Sequence, residues 1–284
     1  MTAVPPAPPV GTRAGIDEFA AAPARPRRSL GRGRAAGPKR LLLAAILPVA
    51  LLAGWQLVSV AALYSRVQLP SPAMTLHAGV DLWQRGLLPR YLAISTQRVL
   101  LGFVLGTMVG LAVGAVVGLS RLADGLLAPT IGAFRAVPSL AWVPLLILWL
   151  GIGEDSKIIL IAIGSFFPVY TTAASALRHV DRQLVEAGRA FGLRGVSLLS
   201  TVQLPAAVPA IIAGVRLALA QAWLFLVAAE LIASTTGLGF LLQDSGNNGR
   251  TDRIFLAIIA LALLGTLTDA LVGAFERWAL RRWT

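Results

Sequence analysis

The stretch EAGRAFGLRGVSLLSTVQLP, residues Glu186–Pro205, is a polar island in the otherwise very apolar second half of the chain. Leu184, Ala187 and Phe191 follow one another at intervals of three and four residues, so a helix here carries one narrow apolar stripe. Charged side chains occupy its other faces. The spacing therefore predicts a short amphipathic helix and not a membrane span.

Gly192 and Ser197 predict where this helix ends and where a second one begins. Gly192 adopts a positive φ without steric cost and ends the first helix in a sharp turn, and Ser197 is predicted to cap the second helix. A helix-turn-helix of this kind can dock its apolar stripe into a groove on a partner protein. The alternative is an ordinary loop whose leucine and phenylalanine lie on lipid headgroups.

The composition is that of a membrane protein. Hydrophobic residues make up 56% of the 284 residues, charged residues make up 13%, and the mean hydropathy is +0.75. The length allows six spans with modest loops in one domain. Because the chain contains no cysteine, disulfides and thiolate metal sites are excluded, and no metal or bound cofactor is predicted.

Six apolar segments predict an all-α polytopic membrane protein with about six transmembrane helices. The third segment is broken by Pro138 and Pro144. The six together form one predicted transmembrane domain over residues 41–280. The predicted spans cover residues 41–63, 93–119, 130–150, 158–177, 207–233 and 254–275.

Two of the connections are predicted to be irregular. Residues 64–91 contain Leu69-Pro70-Ser71-Pro72, whose prolines oppose regular structure locally. Gly237 begins a polar connection that ends at Arg253, and this segment is predicted to be extended.

The second predicted span carries a glycine at every fourth position. On a helix of ~100° per residue such a row drifts only slowly around the axis, so it forms a smooth groove that another helix backbone can approach closely. The row is predicted to be a helix-packing face, and a sliding surface for alternating access is its functional extension. Its members are Gly102, Gly106, Gly110, Gly114 and Gly118.

The distribution of positive charge predicts the orientation. Residues 1–40 are rich in Pro, Ala, Gly and Arg and are predicted to be a disordered basic tail. With both termini inside, the inner segments hold sixteen Lys and Arg residues and the outer segments hold six. The positive-inside rule therefore places both termini and the loop 178–205 in the cytoplasm. The tail is interpreted as an anchor on anionic lipid and not as a nucleic-acid site.

The loop also carries a family signature. Glu186-Ala187-Gly188, Gly192 and Val202-Gln203-Leu204-Pro205 match the spacing E-A-A-x3-G-x9-I-x-L-P, with Gly188 in place of Ala and Val202 in place of Ile. By this pattern the chain resembles the permease subunits of bacterial ABC importers. The resemblance implies a type I ABC importer permease fold in the inner membrane. It also implies an ATPase contact at the coupling residues Glu186, Ala187, Gly188, Gly192, Leu204 and Pro205.

Further motifs resemble one subgroup of these permeases, which imports nitrate, aliphatic sulfonates or taurine. They are Ala141-Trp142-Val143-Pro144-Leu145, Gly151-Ile152-Gly153-Glu154, Ser156-Lys157 and Phe166-Phe167-Pro168. The resemblance implies a pore of two permease subunits, by default a homodimer. It also implies two ATPase subunits that hold ATP and Mg, and an external solute-binding protein. Related permeases carry thiamine-precursor pyrimidines or other small solutes, so that alternative stays open.

The translocation path is predicted from polar and ionisable residues within the spans, because such groups are costly in lipid. The candidates are Arg135, Ser139, Gln221, Trp223 and Glu230, with interhelical packing as the alternative for each. Arg98 and Arg135 are also placed at span ends, where a long side chain can reach the interface.

No enzyme chemistry is predicted. The chain lacks G-x-x-x-x-G-K-[ST], so ATP is expected on a separate subunit. His77 and His179 lie on opposite sides of the predicted membrane and do not form one metal site. A membrane enzyme acting on lipid, and a structural or sensory protein that merely docks an ATPase, are the alternatives from other classes.

Overall fold

The computed structural model describes the backbone of residues 38–283 and the side chains of residues 46–278. Within these residues the chain forms helices and no strand. They are α1 Pro38–Val60, α2 Pro72–Gln84, α3 Leu87–Leu119, α4 Arg121–Ala136, α5 Val143–Leu150, α6 Glu154–Arg178, α7 Arg182–Ala190, α8 Gly195–Leu198, α9 Leu204–Ala233, α10 Leu238–Asn247 and α11 Thr251–Trp283. A 3-10 turn, Ser139–Trp142, precedes α5, and a π-helical turn, Leu199–Gln203, joins α8 to α9.

The prediction of an all-α protein with several membrane-spanning helices is confirmed. Four helical segments are long and apolar enough to cross a membrane, namely α3, α6, α8 with α9, and α11. The bent pair α4 and α5, with 87° between its two arms, makes a fifth if it is one span. A sixth requires α1, whose 23 residues extend ~35 Å, enough for a hydrocarbon core of ~30 Å. Residues 1–37 of the predicted tail lie outside the described residues.

Helices α3 and α6 are in very close contact along the glycine row. A Cβ atom added at Gly106 would lie 2.3 Å from the carbonyl oxygen of Ala162, and at Gly102 it would lie 2.6 Å from Ile161. At the other three glycines the nearest atom of α6 would be 2.8 to 2.9 Å away. These distances are too short for any side chain, so glycine is what allows the two backbones to meet.

Helix α9 packs against α6 in the same manner. A Cβ at Gly164 would lie 2.2 Å from the ring of Phe225, and one at Gly214 would overlap the side chain of Thr172. Val99, Ile161 and Leu226, from α3, α6 and α9, are fully buried in one apolar cluster. Helices α3, α6 and α9 therefore form the packed core of the described residues.

The connection that begins at Gly237 was predicted to be extended, and this prediction is wrong. In the earlier connection residues 69–71 are irregular, as the prolines predict locally, but a helix follows at once. Ser71 caps α2 by accepting a hydrogen bond from the Met74 N–H at 3.2 Å, and Pro72 takes the first helical position, where a missing N–H costs nothing. Gly237, with φ of +118°, likewise leads directly into α10. Leu238 of α10 then joins a buried cluster with Leu82 of α2.

Candidate functional site

Helix α7 is the amphipathic helix that the sequence predicts. Asp181 caps it by accepting a hydrogen bond from the Gln183 N–H at 2.8 Å. The apolar stripe predicted from Leu184, Ala187 and Phe191 is exposed, and Phe191 retains 87% of its accessible surface. Phe191 directly follows the last residue of α7, so its ring is available to a partner protein or to lipid headgroups.

The turn after α7 forms at Gly192. Gly192 has φ of +82°, its N–H donates to the Arg189 carbonyl at 2.9 Å, and the Leu193 N–H donates to the Gly188 carbonyl at 3.0 Å. This pair of bonds is the Schellman arrangement, which requires a left-handed residue at that position. The predicted cap at Ser197 is wrong, because α8 already begins at Gly195 and Ser197 lies inside it.

Gly188 holds α7 against the helix that follows the turn. It is buried, and a Cβ there would lie 2.8 Å from Leu198 Cδ1 and 3.0 Å from Val202 Cγ2. The two positions that depart from the family pattern, Gly188 and Val202, therefore face each other. The π-helical turn then runs into α9 at Leu204, with Pro205 in its first turn. Gly188 thus packs α7 against a segment that continues directly into α9, the longest helix of the core after α3.

Beside α7 lies a cleft of about 910 Å³ with charged walls. Arg178 of α6 donates a short hydrogen bond to Asp124 of α4 in its wall. Arg182 of α7 pairs with Glu186 one turn later at 2.8 Å on the exposed surface. The cleft separates α7 from the C-terminal end of α3 and the start of α4.

A second cavity, of about 750 Å³, lies between α4, α6 and α9, and a smaller one of about 260 Å³ adjoins it. Arg135, Thr171, Ser175 and His179 line both. The Thr171 hydroxyl donates to the Phe167 carbonyl of its own helix at 2.9 Å. Arg135 is exposed and has no ion pair within the described residues. The guanidinium of Arg135 therefore lines these cavities without a bonded carboxylate, although Asp181 lines the larger cavity and Asp124, paired with Arg178, lines the smaller one.

The other predicted path residues are not gathered around this cavity. Ser139 and Gln221 are half-buried on separate elements, and the Trp223 Nε1–H donates to Thr268 of α11 at 2.9 Å. Glu230 is 1% exposed and paired inside the helix bundle. Trp223 and Glu230 thus make contacts between helices, and a place of either side chain in the translocation path stays a prediction.

Glu230 belongs to a cluster of buried charges, the Arg98 cluster, at the other end of α3 from α7. Arg98 donates to Glu230 Oε1 at 2.7 Å and binds both oxygens of Glu154 at 2.6 Å. Lys157 adds a contact with Glu154 at 2.9 Å, and Ser95 donates to Glu230 at 2.8 Å. Its distance from the α7 end is ~28 Å, because 19 residues of helix separate Arg98 from Val117.

The placement of Arg98 at a membrane interface is wrong, since it is 2% exposed. Arg98 and Glu230 are opposite charges within two separate spans, and the cost of each charge in lipid is the one sequence signal that could have suggested a pair. Arg216 is likewise paired with another helix, at 2.7 Å from Asp269 of α11, and not with Glu230. The described residues contain no group of three or more His, Asp or Glu side chains placed to hold a metal.

The long apolar helices, the glycine-packed core and the exposed amphipathic α7 define a multi-pass helical membrane protein with an amphipathic helix exposed at one end. A model of the family "binding-protein-dependent transport system inner membrane component" matches residues 102–281. The chain belongs to this family. It is a non-enzymatic permease subunit of an ABC importer and a multi-pass protein of the bacterial inner membrane, as the sequence predicts.

Two relatives and one solved structure extend the comparison. The putative aliphatic sulfonates transport permease protein SsuC of Bacillus subtilis is 40% identical over 90% of this chain and 91% of its own length. The taurine transport system permease protein TauC of Escherichia coli is 37% identical over 80% of this chain and 84% of its own. A chain of the MetNI methionine ABC transporter, in an inward-facing conformation, has a TM-score of 0.58 at 21% identity. It covers 69% of this chain and 96% of that one, which confirms the fold.

Proposed function

We propose that α7 binds an ATPase subunit and that the chain, as one of two copies, conducts an organosulfonate anion inward. The observation that carries this is the exposed stripe of α7, which is fixed to α9 through Gly188 and the π-helical turn. An apolar stripe on a surface helix suits a groove on a partner. Glu186, Ala187, Gly192, Leu204 and Pro205 complete the proposed coupling segment.

The proposed partners follow from the family resemblance. Two ATPase subunits hold ATP and Mg at the α7 end, and an external solute-binding protein delivers the solute at the other end. A second copy of this chain completes the pore, and the basic segment 1–40 lies on anionic lipid in the cytoplasm. The coupling loop 178–205 and both termini are cytoplasmic in this proposal.

We further propose that the Arg135 cavity is the inner part of the translocation path. Aliphatic sulfonates and taurine, the solutes named for the two relatives, share an anionic sulfonate group. A guanidinium without a carboxylate partner supplies the matching charge, and it is exposed enough to release the anion again. Nitrate presents a smaller anion to the same charge, whereas a thiamine-precursor pyrimidine does not use it. Ser139 and Gln221 remain proposed path residues at other levels.

The ATPase contact is tested by copurification in detergent. Phe191→Asp places a charge on the stripe at a largely exposed site, so the chain is expected to insert normally and to copurify with much less ATPase subunit. Trp83→Asp is the matched control, because Trp83 is also a largely exposed aromatic residue but lies on α2 in the Arg98 half of the bundle. Equal recovery of ATPase with Phe191→Asp and Trp83→Asp refutes the proposed contact.

The solute is tested by uptake into vesicles that contain the whole importer. Taurine, an alkanesulfonate, nitrate and a pyrimidine are supplied in turn, each with its own binding protein. ATP-dependent uptake of the sulfonates alone is the expected result. Uptake of the sulfonates by chains with Arg135→Gln as fast as by the unaltered chain rejects an anion path through this cavity.

A further inference from the structure

We propose that the contact between Arg98 and Glu154 is a releasable clasp that holds the two helices α3 and α6 together at the end remote from α7, and that it opens during each transport cycle. The proposal rests on the proposed function, because it assumes that the motor acts at α7. It assigns a role to the Gly151–Lys157 motif, which neither the ATPase contact nor the Arg135 cavity explains.

The clasp lies at one end of the glycine row that forms the interface between α3 and α6. Arg98 lies four residues before Gly102, so it continues the row of every-fourth residues by one step. Along the row itself the glycines offer no side chain that interlocks with α6. The bidentate bond from Arg98 to Glu154 is therefore the polar contact that fastens the end of this smooth interface.

The contact of Arg98 with Glu230 is expected to stay closed throughout the cycle. Glu230 accepts hydrogen bonds from Arg98, from Ser95 and from the Gly239 N–H, the last at 2.7 Å. Ser95 in turn accepts from the Leu238 N–H at 2.9 Å, so two side chains from other helices satisfy the free amides at the start of α10. Each of these groups is buried, and breaking this contact would leave unpaired charge in an apolar core.

The contact of Arg98 with Glu154 is the one expected to open. The side chain of Glu154 is 57% exposed, so its carboxylate is hydrated when it leaves Arg98. Gly151, with φ of +76°, and Gly153 precede it, and no heavy atom of the described residues lies within 4 Å of a Cβ built at either glycine. The first turn of α6 is thus attached through an unpacked segment.

Arg98 keeps one carboxylate partner when Glu154 departs. Its Nη1–H still bonds Glu230 and the Thr236 carbonyl, the latter at 2.7 Å. Its Nε–H and Nη2–H, and the ammonium group of Lys157, lose Glu154, so opening requires water to reach these buried donors. Opening therefore costs free energy, and in this proposal the binding energy of a partner supplies it.

The test uses the assembled importer, with its ATPase and binding protein, in vesicles. Glu154→Gln weakens the clasp and shifts the population toward the open state. The rate of ATP hydrolysis without binding protein is then expected to rise by about fivefold or more, since couplings of this kind are ~5- to 150-fold. Asp155→Asn is the matched control, because Asp155 is the next carboxylate and forms no ion pair within the described residues.

A second measurement reports opening directly. Ser156 is 4% exposed, and the chain has no cysteine, so Ser156→Cys gives a single buried thiol. A membrane-impermeant thiol reagent added outside is expected to label it slowly at rest, and faster in the presence of Glu154→Gln or during turnover. Equal hydrolysis rates and equal labelling for Glu154→Gln and Asp155→Asn overturn the clasp. A failure of the proposed function is distinct, because then the unaltered chain recruits no ATPase or shows no stimulation by the binding protein.

Discussion

Gly106→Ala is the sharpest test of the packing between α3 and α6. The added Cβ would lie 2.3 Å from the Ala162 carbonyl oxygen and 2.9 Å from Ser165 Cβ. Two non-bonded heavy atoms are comfortable at ~3.5 Å, so the helices must separate by about 1 Å. Because the obstacle is backbone, no side-chain rotation relieves it.

The expected loss of stability is the difference between two effects. Overpacking of this kind costs about 1–3 kcal/mol. Replacing glycine by alanine within a helix returns about 0.5–1 kcal/mol. The separation also disturbs the neighbouring contacts at Gly102 and Gly110, where a Cβ would lie only 2.6 and 2.9 Å from α6. The overpacking cost is therefore expected at the upper end of the range of about 1–3 kcal/mol. The net expectation is a destabilisation of about 1–2 kcal/mol.

Gly265→Ala is the matched control, measured by thermal unfolding of the purified chain in detergent. Gly265 lies within α11, and no heavy atom of the described residues lies within 4 Å of a Cβ built there. Only the gain in helix propensity applies to Gly265→Ala, so its melting temperature is expected to equal or slightly exceed that of the unaltered chain. The melting temperature of Gly106→Ala is expected to be several degrees lower than that of the unaltered chain. If Gly106→Ala unfolds at the same temperature as Gly265→Ala, the close approach of α3 and α6 is not what stabilises this bundle.

Three further changes have defined outcomes. Glu230→Gln leaves its buried arginine partner without full charge compensation and is expected to cost about 3–5 kcal/mol, measured as loss of folded chain in a thermal scan. Gly192→Val forces a β-branched residue to φ of +82° and is expected to abolish ATP-driven uptake while membrane insertion persists, so full uptake by this variant contradicts the coupling role. Thr268→Val leaves the buried Trp223 Nε1–H unpaired at about 1–3 kcal/mol, whereas Thr266→Val, at an exposed hydroxyl bonded only to its own helix, is expected to have little effect on melting.

The local chemistry of the loop was readable from the sequence. The spacing around Gly192 predicts a helix, a left-handed turn and a second helix, and the glycine row predicts a packing face. Both depend on interactions within a few residues or along one helix. The same local rules misplace Ser197, because α8 starts two residues earlier without a side-chain cap.

What the sequence did not reveal depends on contacts between distant elements. Arg98 and Glu230 are 132 residues apart, and nothing in the order of residues tells which spans are neighbours or which faces meet. The helical character of α2 and α10 was missed for a related reason. Pro72 and Gly237 were interpreted as breaking helical structure, whereas each stands at the start of a helix that tertiary contacts with the core stabilise.

The contact of Gly188 with Val202 has a consequence for anyone who builds hybrids of these permeases. The two halves of the loop fit one another across the Gly192 turn, so they form one exchangeable cassette and not two. A graft that takes only the segment before the Gly192 turn from another permease would bring the alanine usual in the family to position 188. Its Cβ would then lie too close to Leu198 and Val202, and the two halves of the loop would separate. Transplanting the segment whole, from Asp181 to Pro205, carries both sides of the fit into the new host.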